Sequence, residues 1–206
     1  MVADKQGKLH ASDGTYTNKP GQYSQIDLGS EEFLPGFRPS LDDDNWWPTH
    51  LGDTSDLPDF SGDDWAHVLD GDGQDKDGNE LPGGGHLWNV VKSRKIQGKT
   101  AFPPSWGAAY IGEAAAKVLR KAAEDFSREN HKLVLARDLV PDKVWETNDW
   151  KEEVWVDGKH IAVTVSLSGL GVLTVYPECG DGISKLLGNK MVSQEYKENW
   201  RENNDK

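Results

Sequence analysis

The chain has 206 residues, a formal net charge of −12, a pI near 4.9 and a single cysteine, Cys179. One cysteine excludes an intramolecular disulfide framework and any zinc ribbon or finger built on cysteines. No apolar run approaches the roughly 20 residues needed to span a bilayer, and the length suits one large domain or two small ones.

Charge is spread unevenly. Residues 27–80 carry sixteen acids against Arg38 and Lys76, whereas 82–137 carry ten bases against four acids. An acidic molecule can therefore still turn a positive face to a polyanion.

The N-terminus, MVADKQGKLH, lacks the apolar core of a signal peptide, so any address must come from outside this sequence. Residues 1 to about 25 are polar without periodicity and read as an extended or poorly ordered lead-in. From Ile26 to Phe60, short apolar clusters sit among acids and prolines too frequent for a long helix. Residues 1–60 thus read as an acidic, Trp- and Pro-rich arm. The paired Trp46 and Trp47 are expected to pack it onto the body, the alternative being an aromatic platform for a sugar.

Asp63–Val68 reads as a short helical turn carrying Trp65 and His67. The segment His67–His86, HVLDGDGQDKDGNELPGGGH, then sets two imidazoles at the ends of a Gly- and Asp-rich loop. Gly83, Gly84 and Gly85 permit a sharp turn that brings them together. Lys92, Arg94, Lys95 and Lys99 form the densest basic cluster, ahead of the Pro103-Pro104 break. Residues 106–129 read as one long helix, with Ile111, Ala115, Val118, Leu119, Ala122 and Phe126 on one face. Its Lys117, Arg120, Lys121 and Arg128 read as a solvated face or an extension of the basic surface.

Residues 132–136, KLVLA, read as a strand. Val154–Ser166 reads as two β-runs joined at Asp157-Gly158, and Gly171–Pro177 as a third, together an antiparallel meander. Residues 181–206 read as a charged tail that is helical or frayed. The core between these ends, 61–180, holds the motifs that carry chemistry.

Two histidines in one cleft suit acid–base work, since imidazole titrates near neutrality and one ring can accept a proton while the other donates. A cation beside them would stabilise charge developing on a phosphorane. Thr174 and Tyr176, two apart on a strand, share a face and could offer a hydroxyl and a ring to a nucleotide; the alternative is an ordinary half-buried strand. His10, His50, His131 and His160 read as surface or structural. Cys179 reads as an inert thiol, the alternative being a nucleophile.

Three patterns stand in fixed order: HVLDGD with PGGGH, then GKTAFPPSW, then LTVYP. Together they resemble the EndoU endoribonucleases, especially the bacterial toxin domains of that family and more distantly the uridylate-specific endoribonuclease of coronaviruses. The resemblance covers Trp65 to Pro177. It implies an α+β, ribonuclease A-like EndoU fold in which curved antiparallel sheets flank a catalytic cleft. By the same resemblance His67 and His86 are the catalytic pair, His86 as base and His67 as acid, with Thr174 and Tyr176 at the nucleotide. Lys99 is the candidate catalytic lysine, with Lys92, Lys95 or no lysine as alternatives, and Lys92, Arg94, Lys95 and Thr100 are expected to bind substrate.

The implied reaction is metal-independent transesterification of tRNA or another structured RNA to a 2′,3′-cyclic phosphate and a 5′-hydroxyl. A toxin of this kind implies a cognate immunity protein, delivery within a larger secreted effector, and action in the target-cell cytoplasm. Two readings from other classes stand beside it. Asp70, Asp72, Asp75, Asp77, Gly78 and Glu80 suggest an oxygen-lined divalent-cation site serving a His/Asp hydrolase, although their spacing departs from the calcium-loop template. A non-enzymatic module that binds protein or glycan through the Trp-rich arm is the other.

Overall fold

The computed structural model describes residues 30–73 and 83–195, and the backbone of three two-residue strands before them. The chain divides into two compact units, 1–30 and 31–206. In the first, β1 (Val2–Ala3), β2 (Leu9–His10) and β3 (Tyr16–Thr17) pair antiparallel. The rest of residues 1–29, which takes in the lead-in expected at 1 to about 25, lies outside the described residues, as does the tail from 196.

The second unit is α+β. After α1 (Gly62–Asp70) and α2 (Trp88–Ser93) come the short β4 (Thr100–Ala101) and the long α3 (Ala108–Asn130). Then β5 (Thr147–Val156), β6 (Lys159–Ser168) and β7 (Gly171–Gly180) form an antiparallel meander. Asp157 and Gly158, at φ 50° and 67°, make the tight turn that the Asp-Gly pair predicts. Helix α3 packs on β5 and β6. Its buried stripe includes Ile111, Ala115, Val118, Leu119 and Ala122, and meets Val154, Ile161, Val163 and Val165 from the sheet. Phe126, expected on the same stripe, is 42 % exposed and touches Trp150 edge-on.

Residues 31–60 are not a separable arm. Phe33, Trp47, Leu57 and Phe60 are buried in the same core as α1 and α3, so the compact unit begins at 31 rather than 61. The Phe60 ring stacks on Trp65 at 4.0 Å, Trp46 meets Trp65 edge-on at 5.2 Å, and the indole N–H groups of Trp47 and Trp65 donate to Pro58 O and Trp46 O, respectively. Proline-rich chain cannot sustain a long helix, so apart from 3-10 turns at Glu31–Phe33 and Thr49–Leu51 aromatic packing holds the segment in place. Trp46 and Trp47 do pack this segment onto the body.

Two further expectations change. Residues 132–136 form no strand. The Ser127 hydroxyl exchanges hydrogen bonds with Val134 N and O, holding the chain against the end of α3, Leu133 is 80 % exposed, and a 3-10 turn follows at Ala136–Leu139. Apolar residues alone do not make a strand without an edge to join. The expected tail instead contributes β8 (Ser184–Leu187) and β9 (Lys190–Ser193), a hairpin that pairs with β4 into a second sheet, order β4-β8-β9. The Gly188-Asn189 pair at its tip is a recognisable two-residue turn signal.

Candidate active site

Helix α1 is started by Ser61, whose Oγ accepts from Asp64 N, and ends at Gly71. His67 lies in its last turn. The triple glycine returns to that end of the helix: Gly85 N donates to His67 O at 2.8 Å and His86 N to Val68 O at 2.9 Å. Only glycine fits this approach. A Cβ on Gly84, at φ 53°, would lie 1.8 Å from His67 O, and one on Gly83 would meet Asp72 and the His67 ring. The two histidines expected to act together are thus joined through backbone.

Each imidazole is fixed by one acceptor. His67 Nδ1 lies 2.5 Å from Asp72 Oδ1, and His86 Nδ1 lies 2.8 Å from Thr100 O. A carbonyl only accepts, so His86 carries its proton on Nδ1 and leaves the Nε2 lone pair free of it. His86 is 8 % exposed. Burial pushes its pKa from 6.5 down to about 3; the bond to Thr100 opposes the shift, and positive charge at Lys99 and His67 adds to it. His86 is therefore neutral at ordinary pH.

Lys99 Nζ donates to Gly84 O, which brings this lysine to the histidines. Lys92 lies instead over the Trp88 ring at 4.5 Å, and Lys95 is exposed. Arg94 donates to Asp70 O at the end of α1, and Thr100 serves the site through its carbonyl. Of the basic cluster, Lys99 is the member whose described bond and charge reach the histidines.

The meander supplies the other wall, with β7 packed beside both α1 and β4. The Tyr176 ring stacks on His86 at 5.6 Å and 26°. Thr174, half-buried, lies two residues earlier on the same face and opposite Ser166. His86 thus stands between the two antiparallel sheets. The Tyr176 hydroxyl is pushed above its usual pKa, mainly by burial; a hydrogen bond with Thr164 opposes this, and Glu178 and Asp149 add to it.

Several residues here escaped the sequence reading. Thr164 and Ser166 alternate with Val163, Val165 and Leu167 on β6, a period-two polar row inside an apolar strand that marks a buried polar face. Thr164 Oγ1 donates to Glu178 Oε1 at 2.9 Å and Ser166 Oγ to Asp149 Oδ1 at 2.5 Å. Cys179 is buried against Ala162. Asp70 and Asp72, considered as cation ligands, are otherwise engaged. Arg38 donates to both Asp70 oxygens at 2.7 and 2.8 Å, and Asp72 holds His67. Asp75, Asp77, Gly78 and Glu80 lie outside the described residues.

The basic face of α3 does not extend this site. Arg120 forms a two-pronged pair with Asp56, Lys121 reaches Glu152, Lys117 bridges Glu113 and Trp155 O, and Arg128 meets Asp125. A cavity of about 490 Å³ lined by Asp138, Asp142, Glu146 and Trp150, among others, contains none of the histidines. His50, expected to be surface or structural, has its side chain covered between Glu32 and Glu113, while His160 stacks on Trp155. Among known proteins, no family model, curated protein or solved structure gives a significant match to this chain.

Proposed function

We propose that this chain is a metal-independent endoribonuclease that cuts tRNA or another structured RNA by transesterification, acting as a toxin. The observation that carries the reading is the complementary fixing of two imidazoles, His86 by a carbonyl and His67 by a carboxylate, in one cluster with Lys99 and Tyr176. RNA brings its own nucleophile, the 2′-hydroxyl, and needs a base, an acid and a cation.

Neutral His86 takes the base role, accepting the 2′-hydroxyl proton at Nε2. Its lowered proton affinity rises when a phosphodiester brings negative charge alongside. His67 takes the acid role, protonating the leaving 5′-oxygen, with its Nδ1 side held by Asp72. Lys99 faces the phosphorane, and Thr174 and Tyr176 hold the nucleotide 5′ to the cut. In this reading the chain is the working end of a larger secreted effector, acts in the target-cell cytoplasm, and is neutralised in its producer by an immunity protein.

The test is cleavage of end-labelled total tRNA in EDTA by wild type and His86→Ala, with product ends assayed for cyclic phosphate. The expected result is cleavage with cyclic ends, reduced at least about a hundredfold in the variant. Cleavage that requires added Mn²⁺ or Ca²⁺ would favour a His/Asp hydrolase. No cleavage, with binding of a protein or glycan unaffected by the substitution, would favour a binding module.

A further inference from the structure

Strand β7 is irregular beside Tyr176. The register runs Thr164↔Tyr176 and Val163↔Pro177, then shifts to Ala162↔Cys179, leaving Glu178 as the extra residue of a bulge. A bulge re-aims the side chain it carries. Here Glu178 reaches the face that holds Tyr176, where its Oε1 accepts from Thr164 Oγ1. Thr164 is fully buried and lies directly opposite Tyr176 in the ladder, so its bond fixes Glu178 beside Tyr176. Asp149, on β5, adds a second carboxylate within electrostatic reach of the Tyr176 hydroxyl.

The site is therefore polarised. Lys99 stands on the side of β4 and the histidines, where Asp72 is paired with His67, while Glu178 and Asp149, each bound to a β6 hydroxyl, stand on the side of Tyr176. A phosphate would be repelled from the second side and drawn to the first. What suits the acidic side is a neutral ring that offers N–H donors to a carboxylate, as an exocyclic amino group does. A ring presenting a carbonyl there would set oxygen against oxygen and offer Glu178 no donor beyond Thr164.

We infer that Glu178 is a specificity-determining residue that selects a base carrying an exocyclic amino group over uracil at the nucleotide 5′ to the cut. The inference rests on the ribonuclease reading for its substrate, and on the bulge and the Thr164–Glu178 hydrogen bond for its geometry. Cytosine and uracil isolate the effect, since they are nearly the same shape and differ where the amino group replaces a carbonyl.

The experiment is calorimetric titration of wild type and Glu178→Gln with 3′-CMP and with 3′-UMP, alongside EDTA cleavage of two oligoribonucleotides differing by one C or U. Wild type should bind 3′-CMP about tenfold tighter than 3′-UMP and cut after C in preference to U by a similar factor. Glu178→Gln keeps an acceptor for Thr164 but gains an amide donor that suits a carbonyl, so its preference should shrink below about threefold or reverse. Equal wild-type affinities, a preference for 3′-UMP, or a preference unchanged in the variant would overturn the inference, as would binding of neither nucleotide. Cleavage without the C preference would sink this inference and leave the ribonuclease reading intact. The nucleotide preference without cleavage would do the reverse. Thermal unfolding of both proteins checks the fold, and the C-to-U ratio is insensitive to a uniform loss of folded protein.

Discussion

His86 shows how one buried ring ties chemistry to stability. Its pKa falls from 6.5 to about 3 on folding, chiefly through burial. Between those values the unfolded chain takes up a proton that the folded chain refuses, so stability present above pH 6.5 is lost as pH falls toward 3. His86→Asn keeps a donor near the Nδ1 position for Thr100 O but cannot titrate. Its stability should fall less steeply with acid than that of wild type, by up to about 1.4 kcal/mol per pH unit inside that window. Urea denaturation at several pH values between 7 and 4 measures the two slopes, and equal slopes would refute the assignment. At this scale the sequence was informative where residue type and motif agree: His67, His86, Lys99 and Tyr176 meet in one cluster. It did not disclose Glu178 or Asp149, because neither the bulge nor the cross-strand register leaves a residue-type signature.

Between residues and the whole fold, helix α3 and the meander were the most legible elements. The helix has a sustained 3.6-residue period, and β6 and β7 are joined or flanked by glycine turns. The early part of β5 was not legible. Residues 147–153 lie on an edge strand whose burial is shallow, so TNDWKEE shows no apolar alternation. Gly112 offers a test of packing against propensity within α3. Alanine there would favour the helix by about 1 kcal/mol, yet its Cβ would lie 2.6 Å from Pro48 Cγ, with Trp65 at 3.3 Å behind. A proline ring cannot swing aside as a long side chain can, and overpacking costs about 1–3 kcal/mol. Packing should win, with Gly112→Ala destabilised by about 1 kcal/mol in urea denaturation. A gain in stability would mean that the Pro48 segment yields easily. Arg120 tests the polar side of the same helix. Its pair with Asp56 ties the 53–56 loop to α3, and Arg120→Ala should lower stability by about 1 kcal/mol at neutral pH, since both partners are about one-third exposed.

For the molecule as a whole, the boundary at 31 matters more than the charge of the segment that follows it. Phe33, Trp47, Leu57 and Phe60 are each buried, at about 1.5–3 kcal/mol apiece. Their sum is comparable with the whole stability of a typical domain, about 5–15 kcal/mol. A chain beginning at 61 should therefore show no cooperative unfolding transition, while one beginning at 31 should keep it, as followed by circular dichroism on heating. A folded 61–206 fragment would restore the separable arm that composition suggests. The sequence misled here because prolines and aspartates are scattered through 31–60 and break any apolar period, whereas its aromatics decide where it lies. Its acids also have uses that a net charge conceals: Asp56 pairs with Arg120, and Glu32 holds Thr49.

The ladder that joins the end of α1 to Gly85 and His86 sets the distance between the histidines by main-chain bonds on either side of the intervening loop. The length of that loop is thereby uncoupled from the geometry it spans, and each doubling of it costs only about 0.6 kcal/mol of closure entropy. Descendants of such a chain could lengthen, shorten or rewrite the loop freely while the pair stayed in register. Divergence would erase the spacing before it erased the site, leaving the helix end and the glycines as the surviving mark of ancestry.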